Sequence, residues 1–182
     1  ISLTAISPYL RIMYFVFVGL ITLWGILTLA MQNCSNAIWT LHKSKISPFT
    51  VGVTGSVGKT TTKEFISYVL AEKYPTHKSG GNFNTIYGLS LTLMAMSTFH
   101  KGLVLEMGMS GLGEIEYLSR LAEPDIALIT NIGNSHIGHL GSRENICRAK
   151  LEIVSGLKRG GILIVNGDEP MLADYKKEGI TT

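Results

Sequence analysis

Residues 49–64 read FTVGVTGSVGKTTTKE, and their order decides the fold. The first six, largely β-branched and apolar, fit a buried strand. The run Thr54-Gly55-Ser56-Val57-Gly58-Lys59-Thr60-Thr61-Thr62 then turns through two glycines into a helix expected over 59–72. Successive backbone N–H groups in such a loop, backed by a helix N-terminus, form a cradle for anions. Lys59 supplies a point charge suited to β- and γ-phosphates, and Thr60 a hydroxyl suited to Mg²⁺. The longer phosphate-loop pattern G-x-x-x-x-G-K-[ST] asks for glycine at position 53, where Val53 stands, so only G-x-x-G-K-T is present. A glycine-rich structural turn is the bland alternative. The loop alone leaves a kinase, a GTPase switch and a ligase open. No N/T-K-x-D tetrapeptide follows any strand, which removes the guanine-reading switches.

Outward from this loop, short apolar runs alternate with helical patterns. Strands are expected over 103–107 (LVLEM), 126–131 (IALITN) and 162–166 (ILIVN), and helices over 85–98, 114–122 and 143–157. Strands of about five apolar residues alternating with helices predict an α/β fold: a P-loop-containing, mainly parallel sheet with helices on both faces. Ligands then belong at the carboxyl ends of the strands.

The 182 residues carry 16 basic and 13 acidic side chains, and Arg11 is the only one of these within residues 1–41. Residues 12–31 hold no charge at all. Twenty residues of helix span about 30 Å, enough to cross a bilayer's hydrocarbon core. A buried core helix or a signal peptide would be the alternatives, but the stretch lacks a polar face and no small-residue cleavage site follows. His42, Lys43 and Lys45 downstream, against Arg11 upstream, predict that the C-terminal domain faces the cytoplasm. The expected organisation is a flank over 1–11, a transmembrane helix over 12–31, a linker over 32–47 and an ATP-binding domain over 48–182. The formal charge of +3, with no basic stripe, argues against a nucleic-acid partner. Cys34 and Cys147 stand far apart without C-x-x-C spacing, so reduced thiols are expected.

Polar residues gather where the strands end. Glu106 closes LVLEM, where a carboxylate can hold a metal or simply cap or pair. His136 and His139 lie in NIGNSHIGHLGS; a loop histidine is ordinarily solvated surface. Lys150 shares a helix face with Ile146, Ile153 and Val154, as a snorkelling surface lysine would. Asn82 and Asn84, in GGNFNT, suit phosphate contact or helix capping.

Taken together, GVTGSVGKTTTKE, KSGGNFNTIYGLSLTLM, LEMGMSGLGEI, PDIALITNIGNSHIGHLGSRENICRAKLEI and GGILIVNGDEP resemble the central ATPase domain of the Mur ligase family over residues 49–172. The resemblance implies an enzyme that uses ATP to activate a carboxylate as an acyl phosphate, which an incoming amine then attacks. Its nearest branch adds D-Ala-D-Ala to UDP-MurNAc-tripeptide in bacterial peptidoglycan synthesis. The resemblance further implies ATP-loop roles for Gly55, Ser56, Val57, Gly58, Lys59, Thr60 and Thr61, and phosphate contact for Asn82. Thr60 and Glu106 would hold one Mg²⁺, and His136 a second beside the acceptor carboxylate. Lys150 matches a lysine that several members carbamylate into a metal ligand. Lys59, His136 and Lys150 are thus the expected catalytic set. NTIYGLS departs from the N-N-E-I-G-x-P of that branch, which leaves a folylpolyglutamate-type or polyglutamate-type acceptor open. A membrane-anchored nucleotide switch is the non-enzymatic alternative. Residues 44–182 alone are expected not to complete ligation, because the family's sugar-binding and closing domains are not among them.

Overall fold

The computed structural model describes residues 8–182, so most of the flank expected over 1–11 lies outside the described residues. The chain opens with one long helix, α1 (Pro8–Ile46). Proline suits a helix's first turn because it lacks only an N–H that would have no partner there. Ile12–Ala30 has a mean hydropathy of 2.2 and none of it is buried, so it is long and apolar enough to cross a membrane.

Residues 32–47, expected as a linker, instead continue the helix to Ile46. No proline or glycine interrupts 32–46. The helix stops ahead of Pro48, whose ring disfavours a helical residue before it, and Ser47 takes φ 37° there. This half is packed rather than free. Trp39 and Ile46 are buried in the main core, and Trp39 Nε1 donates to the Leu121 carbonyl at 3.0 Å.

The remainder is β1 (Phe49–Thr54), α2 (Lys59–Ala71), β2 (Thr76–Lys78), α3 (Ile86–Met94), β3 (Gly102–Glu106), α4 (Glu114–Ala122), β4 (Ile126–Ile129), α5 (Ile137–Leu140), α6 (Arg143–Leu151) and β5 (Ile162–Val165). The five strands lie in the order β2-β3-β1-β4-β5, every pairing parallel. Helices cover both faces. Ile66 and Leu70 of α2 pack on Val51, Val53 and Val104. On the other face Leu103, Leu105, Ala127, Ile129 and Leu163 meet Leu89 and Leu93 of α3, Ile115 and Leu118 of α4, and Ile146 of α6. Val53, the residue in place of the pattern's first glycine, is fully buried in the α2-side cluster, so the strand runs on and the loop starts only at Gly55.

Four sequence expectations shift. The polar triplet Thr76-His77-Lys78 forms an edge strand paired only with β3, giving five strands rather than four. The helix expected over 85–98 ends at Met94. The helix expected over 143–157 tightens into a 3₁₀ turn at Glu152–Ser155. The strand expected over 126–131 stops at Ile129, because Thr130 and Asn131 turn to hold the glycine loop. Cys34 and Cys147 are both free thiols.

Candidate active site

Chain order reverses around β1: β3 lies on one side, β4 on the other, and the crevice at their carboxyl ends is the switch point where ligands bind in such sheets. The glycine loop leaves β1 into this crevice. Gly58 sits at φ 84°, a left-handed conformation that costs glycine little, and serves as the N-cap of α2. Gly55 cannot be replaced without movement, because a Cβ there would lie 1.8 Å from Thr130 Oγ1.

The loop is fastened from the β4 side. Asn131 Oδ1 accepts from the amides of Ser56 (3.1 Å) and Val57 (3.0 Å). Thr130 Oγ1 donates to the Val57 carbonyl at 2.6 Å, and Gly133 N donates to Ser56 Oγ at 2.8 Å. Two loop amides are thereby spent on Asn131, leaving the N–H groups of the first turn of α2 to face the crevice without intrahelical partners. Lys59 Nζ donates to the Gly55 carbonyl at 2.9 Å.

Glu106, 2% exposed, ends β3 beside β1. Its Oε2 accepts from Thr60 Oγ1 and its Oε1 from Asn84 Nδ2, both at 2.8 Å. A cleft of about 140 Å³ brings Gly55, Lys59, Asn84, Thr85, Gly108, Met109, Ser110, Glu114, His136 and Lys150 together. His136 is an exposed residue at φ 67°, the N-cap of α5.

Lys150 is no snorkelling lysine: it is 2% exposed. Its pKa is lowered from 10.5 to about 8, first by burial and then by the positive charge of Lys59. Two lysines thus line one recess, and Asn84 ties the Thr60–Glu106 pair to it. Oxygen donors such as Thr60 and Glu106 suit Mg²⁺, which is commonly held by one or two carboxylates together with phosphates and water. Among the described residues no three His, Cys, Asp or Glu side chains cluster into a self-sufficient metal site.

Some expected residues stand apart. Asn82 is exposed and does not line the cleft; Asn84, two residues on, does. Thr61 is exposed on α2, outside the lining, while His139, expected as solvated surface, is exposed on α5. Neither Asn82 nor Asn84 caps α3, whose N-cap is Thr85. Sequence reasoning missed the Asn131 and Thr130 clasp, although an Asn closing an apolar strand beside a glycine loop was a readable signal.

Residues 53–181 match the Mur ligase middle domain family. A Bacillus subtilis UDP-N-acetylmuramoyl-tripeptide–D-alanyl-D-alanine ligase is 62% identical over 143 residues, which is 79% of this chain and 30% of that protein. A Synechocystis protein of the same name is 44% identical over 124 residues, 68% of this chain and 27% of that protein. The crystal structure of MurF ligase from Thermotoga maritima in complex with ADP superposes with a TM-score of 0.77 at 36% identity, covering 83% of this chain and 35% of that one. A MurF structure from Acinetobacter baumannii gives 0.75 at 33% identity, covering 79% and 32%. The chain therefore spans about a third or less of the length of these relatives.

Proposed function

The chain belongs to the Mur ligase family, and we propose that it provides the ATP-binding middle domain of an enzyme joining D-Ala-D-Ala to the carboxylate of UDP-MurNAc-tripeptide. The observation that carries this reading is the meeting of Lys59, Asn84, His136 and Lys150 at one cleft, with the Thr60–Glu106 pair bonded to Asn84.

In the proposed reaction an acceptor carboxylate oxygen attacks the γ-phosphorus and ADP leaves. The amine of D-Ala-D-Ala then attacks the acyl carbon, and phosphate departs. Both partners of the first step are anions, so positive charge must be concentrated where they meet. Lys59 releases the Gly55 carbonyl to reach phosphate oxygen, and the first-turn amides of α2 hold the phosphate chain. Thr60 and Glu106 would hold Mg²⁺, which would supply further charge neutralisation. Asn84 keeps one Glu106 oxygen oriented while Thr60 keeps the other. His136, at the lip, faces the acceptor side. Lys150 is neutral in a substantial fraction near its pKa of about 8. Its amine can add to CO₂ with loss of a proton, and the carbamate so formed would be an anionic group able to hold a second cation.

The same reading anchors the domain to the cytoplasmic face of a bacterial membrane through residues 12–30, with His42, Lys43 and Lys45 on the inner side.

The test is phosphate release by the full-length protein in Mg²⁺ and ATP, with UDP-MurNAc-tripeptide and D-Ala-D-Ala added separately and together. Release that requires both, and disappears in Lys59→Ala, supports the reading. ATP turnover indifferent to both substrates overturns it, in favour of another acceptor or a nucleotide switch.

A further inference from the structure

Two lysines are buried among the described residues: Lys150, in the cleft, and Lys63, which does not line it. We propose that Lys63 is a positioning residue whose ammonium fastens the turn over residues 79–84 to helix α2, and so sets where Asn84 and Glu106 stand in the cleft. Its catalytic consequence rests on the ligase reading; the fastening itself does not.

Lys63 lies one helical turn beyond Lys59, on the face of α2 that looks into the domain. Its side chain is fully buried. Nζ donates to the Ser79 carbonyl at 2.8 Å and the Gly81 carbonyl at 3.1 Å. It pairs with Glu64 Oε1 at 3.2 Å and lies 4.0 Å from Glu106 Oε2. An unpaired ammonium in such a place would be strongly unfavourable, so these oxygens are what permits the charge to remain there.

The turn is tied to β3 and its extension at both ends, by Ser79 and Asn84, and Lys63 is what ties its middle to α2. Gly80 and Gly81 carry no side chains to pack, and Gly81 sits at φ 44°. At the two glycines the segment offers a neighbouring helix no side chain to pack on, so α2 grips it through the Ser79 and Gly81 carbonyls. Ser79 links the grip to β3: its amide donates to the Val104 carbonyl at 3.0 Å, and its Oγ accepts from Glu106 N at 2.9 Å. At the far end, the Asn84 carbonyl accepts from Gly108 N at 2.7 Å while its side chain reaches Glu106. Lys63 therefore joins the three pieces that bring oxygen and nitrogen atoms to the cleft: the phosphate-loop helix, the turn and the end of β3. A methionine would fill the space and leave two carbonyls without their donor.

The test compares wild type, Lys63→Met and Lys63→Arg, each as the full chain in detergent. Peptide-resolved hydrogen exchange is read alongside equilibrium binding of a fluorescent ATP analogue with Mg²⁺. In Lys63→Met, exchange over residues 79–84 should accelerate about tenfold while β1 and β3 keep their protection. Analogue affinity should fall by a similar factor, and Lys63→Arg, which retains charge and donors, should recover most of both. Unchanged exchange over 79–84 in Lys63→Met overturns the proposal. So does loss of protection throughout the domain, or failure to fold, since either would make Lys63 a support of the whole core rather than of this turn. Wild type that binds no analogue would instead count against the ligase reading, and the exchange result would still decide the fastening.

Discussion

The hydroxyl of Thr60 donates to Oε2 of Glu106 at 2.8 Å, joining the first turn of α2 to the last residue of β3 across 46 residues of sequence. A loop that grips phosphate and a carboxylate that can hold a cation are thereby fixed to one another before any ligand binds. Glu106→Ala should abolish the Mg²⁺ dependence of nucleotide binding and reduce ATP turnover by about a hundredfold or more. Titrating a fluorescent ATP analogue with and without Mg²⁺ checks this; an unaltered Mg²⁺ effect in the variant would remove Glu106 from the cation's surroundings.

Lys150 makes stability depend on pH. Its folded-state pKa of about 8 lies below the ordinary 10.5, so the unfolded chain binds the proton more tightly. Stability therefore rises with pH between about 8 and 10.5, and the full penalty of the buried charge is present below 8. Lys150→Met should be more stable than the parent at pH 7 by on the order of 1–3 kcal/mol, with the gap closing toward pH 10.5. Thermal melts in CO₂-depleted buffer across that range measure it, and a gap that stays constant with pH would contradict it.

Removing the Asn131 side chain tests the clasp on the glycine loop. Ser56 N keeps a bond to the Asn131 carbonyl at 3.1 Å, whereas Val57 N loses its side-chain partner. Asn131→Ala should cost about 1 kcal/mol in a urea titration, because the exposed amide regains water. The larger effect should be on function: nucleotide affinity falls several-fold because the loop is no longer held in one shape. Equal affinity in the variant would mean that the loop needs no support from β4.

Trp39 reports on the docking of α1. It is 2% exposed and bonded through Nε1 to Leu121. Trp39→Ala should destabilise the domain by about 3 kcal/mol and open residues 32–47 to protease. Resistance equal to the parent's would show that this half of α1 holds without its anchor.

The sheet was largely legible because its strands are apolar runs bounded by turn residues, as in VGVTG and LVLEM. The edge strand was not: Thr76-His77-Lys78 has no buried face to print in the sequence, and only its pairing with β3 defines it. The docked half of α1 read as a linker because Gln32, Asn33 and Asn36 break the apolar run; the hint lay in Trp39 and Ile46, two turns apart on one helix face. At the site, family resemblance located Lys59, Glu106, His136 and Lys150 in one cleft, or beside it, but chose Asn82 where the turn directs Asn84 inward. Which of two asparagines two residues apart faces a cleft depends on the local backbone path, not on the motif. Lys63 escaped notice because periodicity analysis looks for apolar side chains at core positions, and a charge matched by carbonyls leaves no such trace.

If a bilayer holds the apolar stretch, the uninterrupted course of α1 would also determine how the domain is aimed. Between Ile12 and Ile46 the chain has no joint at which an attached body could swing. Only residues 31–35, about 8 Å of helix at 1.5 Å each, separate the end of the apolar stretch from Asn36 and Trp39, where α1 is already fastened to the core. In a bilayer, a helix tilt of about 20° would turn the docked domain and its cleft through the same angle. Bilayer thickness, which governs helix tilt, would then act as a steering input, setting the bearing from which soluble substrates reach Lys59 and Glu106.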